Sequence, residues 1–264
     1  MQKILANPDH QITISIVSHG HGQEVGQLVQ QLLDESYIGR VILTLNLPEE
    51  FDLPADERLV LRENSEPKGF GANHNAAFKL CSTPYFCVLN PDIVILKGAF
   101  GALLSCSQST QAAVAGPLVI SPNGKQEDSW RRFPTLRSLV LKAFGFDTTI
   151  LEAKDSSAPF FPDWVGGMCM FFTAASFSRV GGFNERFYLY YEDVDICARL
   201  WRMGCTVVAS PESTMIHNAQ RASRHRWEHA RWHAVSMLKY FLRYWFRLPT
   251  PATKPSSLNE ETSV

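Results

Sequence analysis

Residues Ile12 to His19, ITISIVSH, alternate apolar and polar side chains as a half-buried strand does. EVGQLVQQLLDES then changes period, with Val25, Leu28, Val29, Leu32 and Leu33 at helical spacing. RVILTLNLP reads as a buried strand and RLVLREN as a short one. GANHNAAFKLCS begins a helix entered through the glycines of KGFGAN, and PYFCVLNPDI is a near-continuous apolar strand that ends in polar residues. Strands alternating with helices predict βα units and a mostly parallel sheet covered on both faces, an α/β chain.

The second half is less regular. AVAGPLVISPNGK predicts a strand and a turn, and SWRRFPTL opens a poorly patterned stretch to about Pro162. After it come the apolar run WVGGMCMFFTAASFSRVGGF, the acidic stretch YLYYEDVDICARLWRMG and the strand CTVVASP. Ile196, Leu200 and Met203 recur at helical spacing, with Gly204 as the stop. Asp195 and Arg199, four apart, predict a surface ion pair, whereas Glu192 and Asp193 fall at the helix entrance, where an N-cap and a catalytic base want the same position and the dipole favours an ionised carboxylate. RWEHARWHAVSMLKYFLRYWFRL closes the ordered part, and a Pro-, Ser- and Glu-rich tail from about Pro249 to Val264 is expected to be disordered. No internal repeat is present, so one domain over residues 1–248 is expected.

Composition narrows the function classes. The 45% hydrophobic and 19% charged residues are those of a soluble globular chain, and the net charge of −1 gives no global attraction for nucleic acid. Charge is uneven, however: between Asn218 and Arg247 stand Arg221, Arg224, Arg226, Arg231, Lys239, Arg243 and Arg247 against Glu228 alone. With its interleaved aromatic residues this segment has three readings: a helix packed on the domain, an interfacial helix on an anionic bilayer, or a nucleic-acid contact. The six cysteines form no CxxC pair and no zinc spacing. There is no apolar leader and no run of 18 apolar residues, which points to a cytoplasmic protein.

Four stretches carry candidate chemistry. In open α/β sheets the ligand crevice lies at the carboxyl ends of the strands, so VLNPDI delivers Asn90 and Asp92 there; Asp92 suits Mg²⁺ or Mn²⁺, although Asn-Pro-Asp is also good turn chemistry. PKGFGANHNAAF offers Lys68, Asn73 and Asn75 near glycines that fit either an approach to phosphates or a structural loop, and it is neither a dinucleotide fingerprint nor a P-loop. In DWVGG, Trp164 presents a face for a sugar beside Gly166 and Gly167, or is simply buried at a bend. His217 is either a metal ligand or structural, and His19 and His21 line the end of the first strand with no assigned chemistry.

Taken in order, GFGANHNAAF, VLNPDI and the block from Trp164 to Arg224 resemble the family-2 glycosyltransferases, in particular the bacterial rhamnosyltransferase-like branch that builds O-antigen and other cell-surface polysaccharides. The resemblance covers about Ile12 to Arg247. It implies a GT-A fold, with a nucleotide-sugar half at about 10–120 and an acceptor half at about 121–248, and an inverting transfer to a lipid-linked or lipopolysaccharide glycan at the inner membrane surface. It further implies Mn²⁺ or Mg²⁺ held by Asp92 and His217, and a base among YEDVD, Asp193 with Glu192 beside it. Donor contacts would come from Ser18, Asn46, Lys68, Asn73, Asn75, Asn90 and Asp92, and acceptor contacts from Trp164, Gly166 and Gly167. Many relatives place an acid before the asparagine that follows the second strand. Here Leu45 precedes Asn46, which leaves open the choice between a UDP- and a dTDP-sugar. A nucleotidyltransferase of similar fold would need a basic N-terminal loop, which SIVSHGHGQEV lacks; a non-catalytic nucleotide-binding relative is the remaining alternative.

Overall fold

The structure, a computed structural model, describes residues 10–152, 157–218, 226–244 and 247–249. Beyond its first residue the expected tail lies outside these, as do Arg221, Arg224 and Trp245.

The elements follow the predicted alternation closely in the first half: β1 (Ile12–Ser18), α1 (Gln23–Leu33), β2 (Ile38–Leu45), β3 (Leu59–Glu63), α2 (Phe70–Phe78), β4 (Tyr85–Leu89), β5 (Ile93–Ile95), α3 (Ala99–Thr110) and β6 (Val114–Ile120). There follow β7 (Trp130–Arg131), α4 (Leu136–Ala143), β8 (Trp164–Val165), β9 (Cys169–Thr173), α5 (Ala174–Val180), α6 (Glu192–Arg202), β10 (Val207–His217) and α7 (Arg226–Tyr244). The unpatterned stretch before Pro162 therefore holds α4 and β7. β10 also runs past CTVVASP to include His217, because a shift of register between Ser210 and Thr214 lets it resume pairing with β6.

Eight strands form one sheet in the order β3-β2-β1-β4-β9-β6-β10-β5. It is mixed: β9 runs antiparallel to both β4 and β6, and β5 antiparallel to β10. Both faces are buried, as expected. Ile12, Ile14, Ile16, Cys87 and Leu89 point into one core with α1 and α3. Phe86 and Val88, of opposite parity on β4, enter a second core with Phe177, Ile196, Leu200, Tyr240 and Tyr244. The parallel strands β1, β2, β4 and β6 all end at one edge, and the chain leaving them builds the site.

Two features bring the acidic helix to that edge. Gly69 and Gly71 lie against the chain leading to α6: an added Cβ would stand 2.6 Å from the Tyr188 carbonyl oxygen and 2.7 Å from the Phe183 Cβ. Phe70 N donates to that same carbonyl at 2.9 Å. These glycines thus allow close approach of the Tyr188 backbone and the Phe183 side chain. Secondly, Asp195 is fully buried, not a surface residue: it accepts from Arg199 Nε at 2.7 Å, Tyr244 Oη at 2.7 Å and Arg243 Nε at 3.1 Å, tying α6 to the end of α7.

Candidate active site

α6 begins on two consecutive left-handed residues, Tyr190 (φ 70°) and Tyr191 (φ 68°). Aromatic side chains rarely take this conformation, and it persists only where the surroundings over-determine it. Here α7 does so: Tyr190 Oη bonds His229 Nδ1 at 2.9 Å, Ser236 Oγ donates to Leu189 O at 2.8 Å, and the Tyr191 ring packs on His233 and Tyr240. The turn delivers Glu192 and Asp193 as the first two helical residues, with Tyr191 rather than an acid at the N-cap.

Asp193 is held by backbone. Its Oδ1 accepts from Val194 N at 2.8 Å and its Oδ2 from Gly167 N at 3.0 Å. The hydrogen bond from the Gly167 amide therefore ties the carboxylate to the β8–β9 turn. Glu192 is 5% exposed, and its Oε2 has no hydrogen-bond partner. Burial, then the neighbouring Asp193 charge, pushes the Glu192 pKa up; burial also raises Asp193, partly offset by its two amide donors. Desolvation outweighs the helix dipole here, and both groups are poised to hold a proton above the ordinary carboxylate range.

Both acids line a cavity of about 950 Å³, whose walls include Glu127, Asp128, Trp164, Gly166, Gly167 and Tyr190. The three expected acceptor residues therefore share one cavity with the expected base. Trp164 is fixed by Nε1 donating to Arg132 O at 3.0 Å, and Gly166 N donates to Ser129 O at 2.9 Å.

Asp92 and His217 are also adjacent: His217 Nε2 lies 3.1 Å from Asp92 Oδ2, and Asn218 N bonds the Asp92 carbonyl at 2.8 Å. His217 Nδ1 meets Glu127 Oε2 at 2.7 Å. Burial lowers the His217 pKa, but the two flanking carboxylates outweigh it and the net value is raised to about 9. Asp92 Oδ1 is buried without a partner. Among the described residues no three His, Cys, Asp or Glu side chains converge on one point; Asp92, His217 and Glu127 form a chain with the imidazole between the acids. An orphaned carboxylate oxygen beside an imidazole is nevertheless a donor set that fits Mn²⁺ or Mg²⁺, which take their remaining ligands from phosphate and water.

The other expected donor residues divide. Asn46 Oδ1 accepts from Lys68 N (2.8 Å), Asn64 Nδ2 (2.8 Å) and Asn73 Nδ2 (3.1 Å), so Asn46 and Asn73 join the β2 end to the loop before α2. Ser18 Oγ donates to Glu49 Oε2 at 2.9 Å, and Gly20 N (2.8 Å) and Gly22 N (2.9 Å) donate to the same carboxylate. Asn75 faces away from this edge, bonding Phe183 N at 2.8 Å and Phe183 O at 2.9 Å. Asn90 N donates to Met168 O at 2.9 Å, bracing the NPD turn against β9. Sequence reasoning missed Glu49, Asn64 and Glu127. Each follows the carboxyl end of a strand, β2, β3 or β6, and that position was the available signal.

The comparisons agree with this architecture. A family model described as the N-terminal domain of galactosyltransferase matches residues 157–225, the part that supplies β8, β9, Glu192, Asp193 and His217. Rhamnosyltransferase WbbL of Escherichia coli (strain K12) is 25% identical over 263 residues, covering 88% of this chain and 93% of that protein. The N-acetylglucosaminyl-diphospho-decaprenol L-rhamnosyltransferase of Mycobacterium tuberculosis is 31% identical over 140 residues, 50% of this chain and 46% of its own. The protein is a glycosyltransferase, similar to those of the rhamnosyltransferase-like type. The glycosyltransferase has the GT-A fold. A mannosyltransferase from Pyrobaculum calidifontis, solved with GDP-Man and Mn²⁺, superposes with a TM-score of 0.58 over 94% of this chain and 68% of its own at 12% identity. GalNAc-T7, solved with UDP, GalNAc and Mn²⁺, gives 0.59 over 80% of this chain and 44% of its own at 11% identity. No helix among the described residues is long and apolar enough to cross a membrane.

Proposed function

We propose that the glycosyltransferase moves a sugar, rhamnose by its likeness to WbbL and the mycobacterial relative, from a UDP- or dTDP-sugar to a lipid-linked or lipopolysaccharide glycan, with inversion and with a divalent cation. The donor half is taken as about 10–120, the acceptor half as about 121–248, and the place of action as the cytoplasmic face of the inner membrane. The observation that carries this reading is the cavity that holds Asp193 and Glu192 and also contains Glu127, the partner of the Asp92–His217 pair. Glu127 thus links the base's cavity to the Asp92–His217 pair, which does not itself line it.

In this reading the acceptor hydroxyl lies against Asp193, which takes its proton as the oxygen attacks the anomeric carbon. The bond to the diphosphate breaks as the new one forms, and its electron pair leaves with the nucleotide. A carboxylate on the acceptor side contributes on the order of 10²–10⁴ in rate. Asp92 and His217 would hold a divalent cation, which when bound offsets charge on the departing diphosphate. Glu127 fixes the imidazole through Nδ1. Trp164 supplies a flat face for the acceptor sugar. The amides of Gly20 and Gly22, which a nucleotidyltransferase would turn to a triphosphate, are occupied by Glu49.

The test is thermal unfolding with UDP or dTDP, with and without Mn²⁺. A ligand at 100 times its Kd adds about 2.7 kcal/mol. Asp92→Ala should remove the Mn²⁺-dependent part of the shift; nucleotide binding indifferent to Mn²⁺ in the parent would contradict the metal site.

A further inference from the structure

α7 has two sides of different character. At about 100° per residue, His229, His233, Ser236, Tyr240 and Tyr244 share one side, and these hold the turn that carries Glu192 and Asp193. Trp227, Arg231, Val235, Leu238 and Leu242 share the opposite side. There Trp227 is 90%, Leu238 60% and Leu242 73% exposed, so the helix offers an apolar stripe to solvent. α4 repeats the pattern: Leu136, Val140 and Phe144 follow at i, i+4 and i+8, all exposed, and Phe146 stands exposed beyond Gly145. Ser138 is the only residue of α4 that is buried. Two helices of one chain that each leave an apolar stripe uncovered mark a contact surface.

Charge decides what covers it. Lys142 of α4 and Arg243 of α7 are paired with Asp147 and Asp195, but exposed Arg137 of α4 and exposed Arg231 and Lys239 of α7 also stand on these helices, whose one acid is Glu228. A second copy packed face to face would bring like charges together, whereas anionic headgroups complement them and let the apolar residues enter the acyl boundary. Ser138, Leu139 and Lys142 of α4 line the cavity that contains Asp193, and α7 reaches it through His233 on its inner side, opposite the exposed stripe. We propose that the outer stripe of α7, together with Phe144 and Phe146 after α4, docks the enzyme on an anionic bilayer with its acceptor cavity at the lipid surface. This deepens the lipid-linked acceptor reading and rests on it for its purpose, although the docking itself is measured without substrate.

The experiment is co-sedimentation of the full chain with vesicles of phosphatidylcholine, with or without phosphatidylglycerol. Binding is expected only to the phosphatidylglycerol vesicles and should weaken as salt rises. The double change Leu238→Glu/Leu242→Glu should lower partitioning by about tenfold or more, and Phe144→Ser/Phe146→Ser should lower it as well. The thermal shift with UDP and Mn²⁺ should be unchanged in both variants, which also reports that they fold. A parent chain that stays in the supernatant while responding to nucleotide overturns the docking and leaves the transferase reading standing; one that pellets without a nucleotide response does the reverse. Equal pelleting of parent and α7 variant overturns it too. So does a parent dimer, seen by light scattering, that the α7 change splits, or capture of duplex DNA in place of vesicles.

Discussion

Asp193 and Glu192 are neighbours in sequence but are held differently. Asp193 spends both oxygens on backbone amides and faces the cavity, whereas Glu192 is buried with one oxygen unpartnered. This makes Asp193 the better base, and its charge helps keep the proton on Glu192. Asp193→Asn keeps the shape and removes the proton acceptor. Transfer should fall by about 10²–10⁴ while the nucleotide-induced thermal shift stays, and unchanged turnover would refute the assignment. Because burial raises both carboxyls, the base is protonated over a range where an ordinary carboxylate, with a pKa of about 4, is already ionised. Transfer should therefore rise with pH above that range, and a rate already flat there would contradict the burial argument. Stability carries the opposite sign. A carboxyl whose folded pKa is raised costs nothing below its unfolded pKa, lowers stability as pH rises from there to the folded pKa, and holds that cost above it. Glu192→Gln should accordingly raise Tm at alkaline pH, by about 2–4 °C per kcal/mol relieved, and leave it unchanged in acid.

The acidic helix shows how a correct element can carry an incorrect residue reading. Ile196 and Leu200 are fully buried and Gly204 follows the helix end at φ 70°, as the periodicity predicted, whereas Met203, expected to face the core with them, is half-buried at the C-cap. The i, i+4 spacing of Asp195 and Arg199 was equally legible, but local spacing does not reveal that α7 covers the pair. The ion pair is an internal anchor between α6 and α7. Removing one partner of a buried pair typically costs about 3–5 kcal/mol, so Asp195→Asn should lower the urea midpoint by that equivalent and loosen α7. A change within about 0.5 kcal/mol would mean that the pair behaves as a surface one. The glycines before α2 were legible as a close-approach signal, but what approaches was not: it is the Tyr188 backbone and the Phe183 side chain, brought in from more than a hundred residues away.

At the scale of the molecule, stability should be graded across the sheet. Central strands β1, β4 and β9 are buried on both faces, whereas α4 is attached by little more than Ser138. Amide exchange should be slowest in those strands and fastest in α4 and its following turn; the reverse order would contradict α4 as a loosely held contact element. The sequence by itself determined the α/β alternation, the two-faced burial of the sheet and the polar strand ends, because these follow from side-chain period and turn chemistry within about ten residues. It also marked Asp92, Asp193 and His217 as candidates. Only the tertiary structure decided that β9 enters between β4 and β6 antiparallel to both, that Glu127 completes the Asp92–His217 chain, that Glu49 takes the loop amides, and that α7 braces the tyrosine turn. These depend on which distant segments meet, and the free energy of such contacts comes from burial and exclusion of water, quantities that a local pattern does not contain.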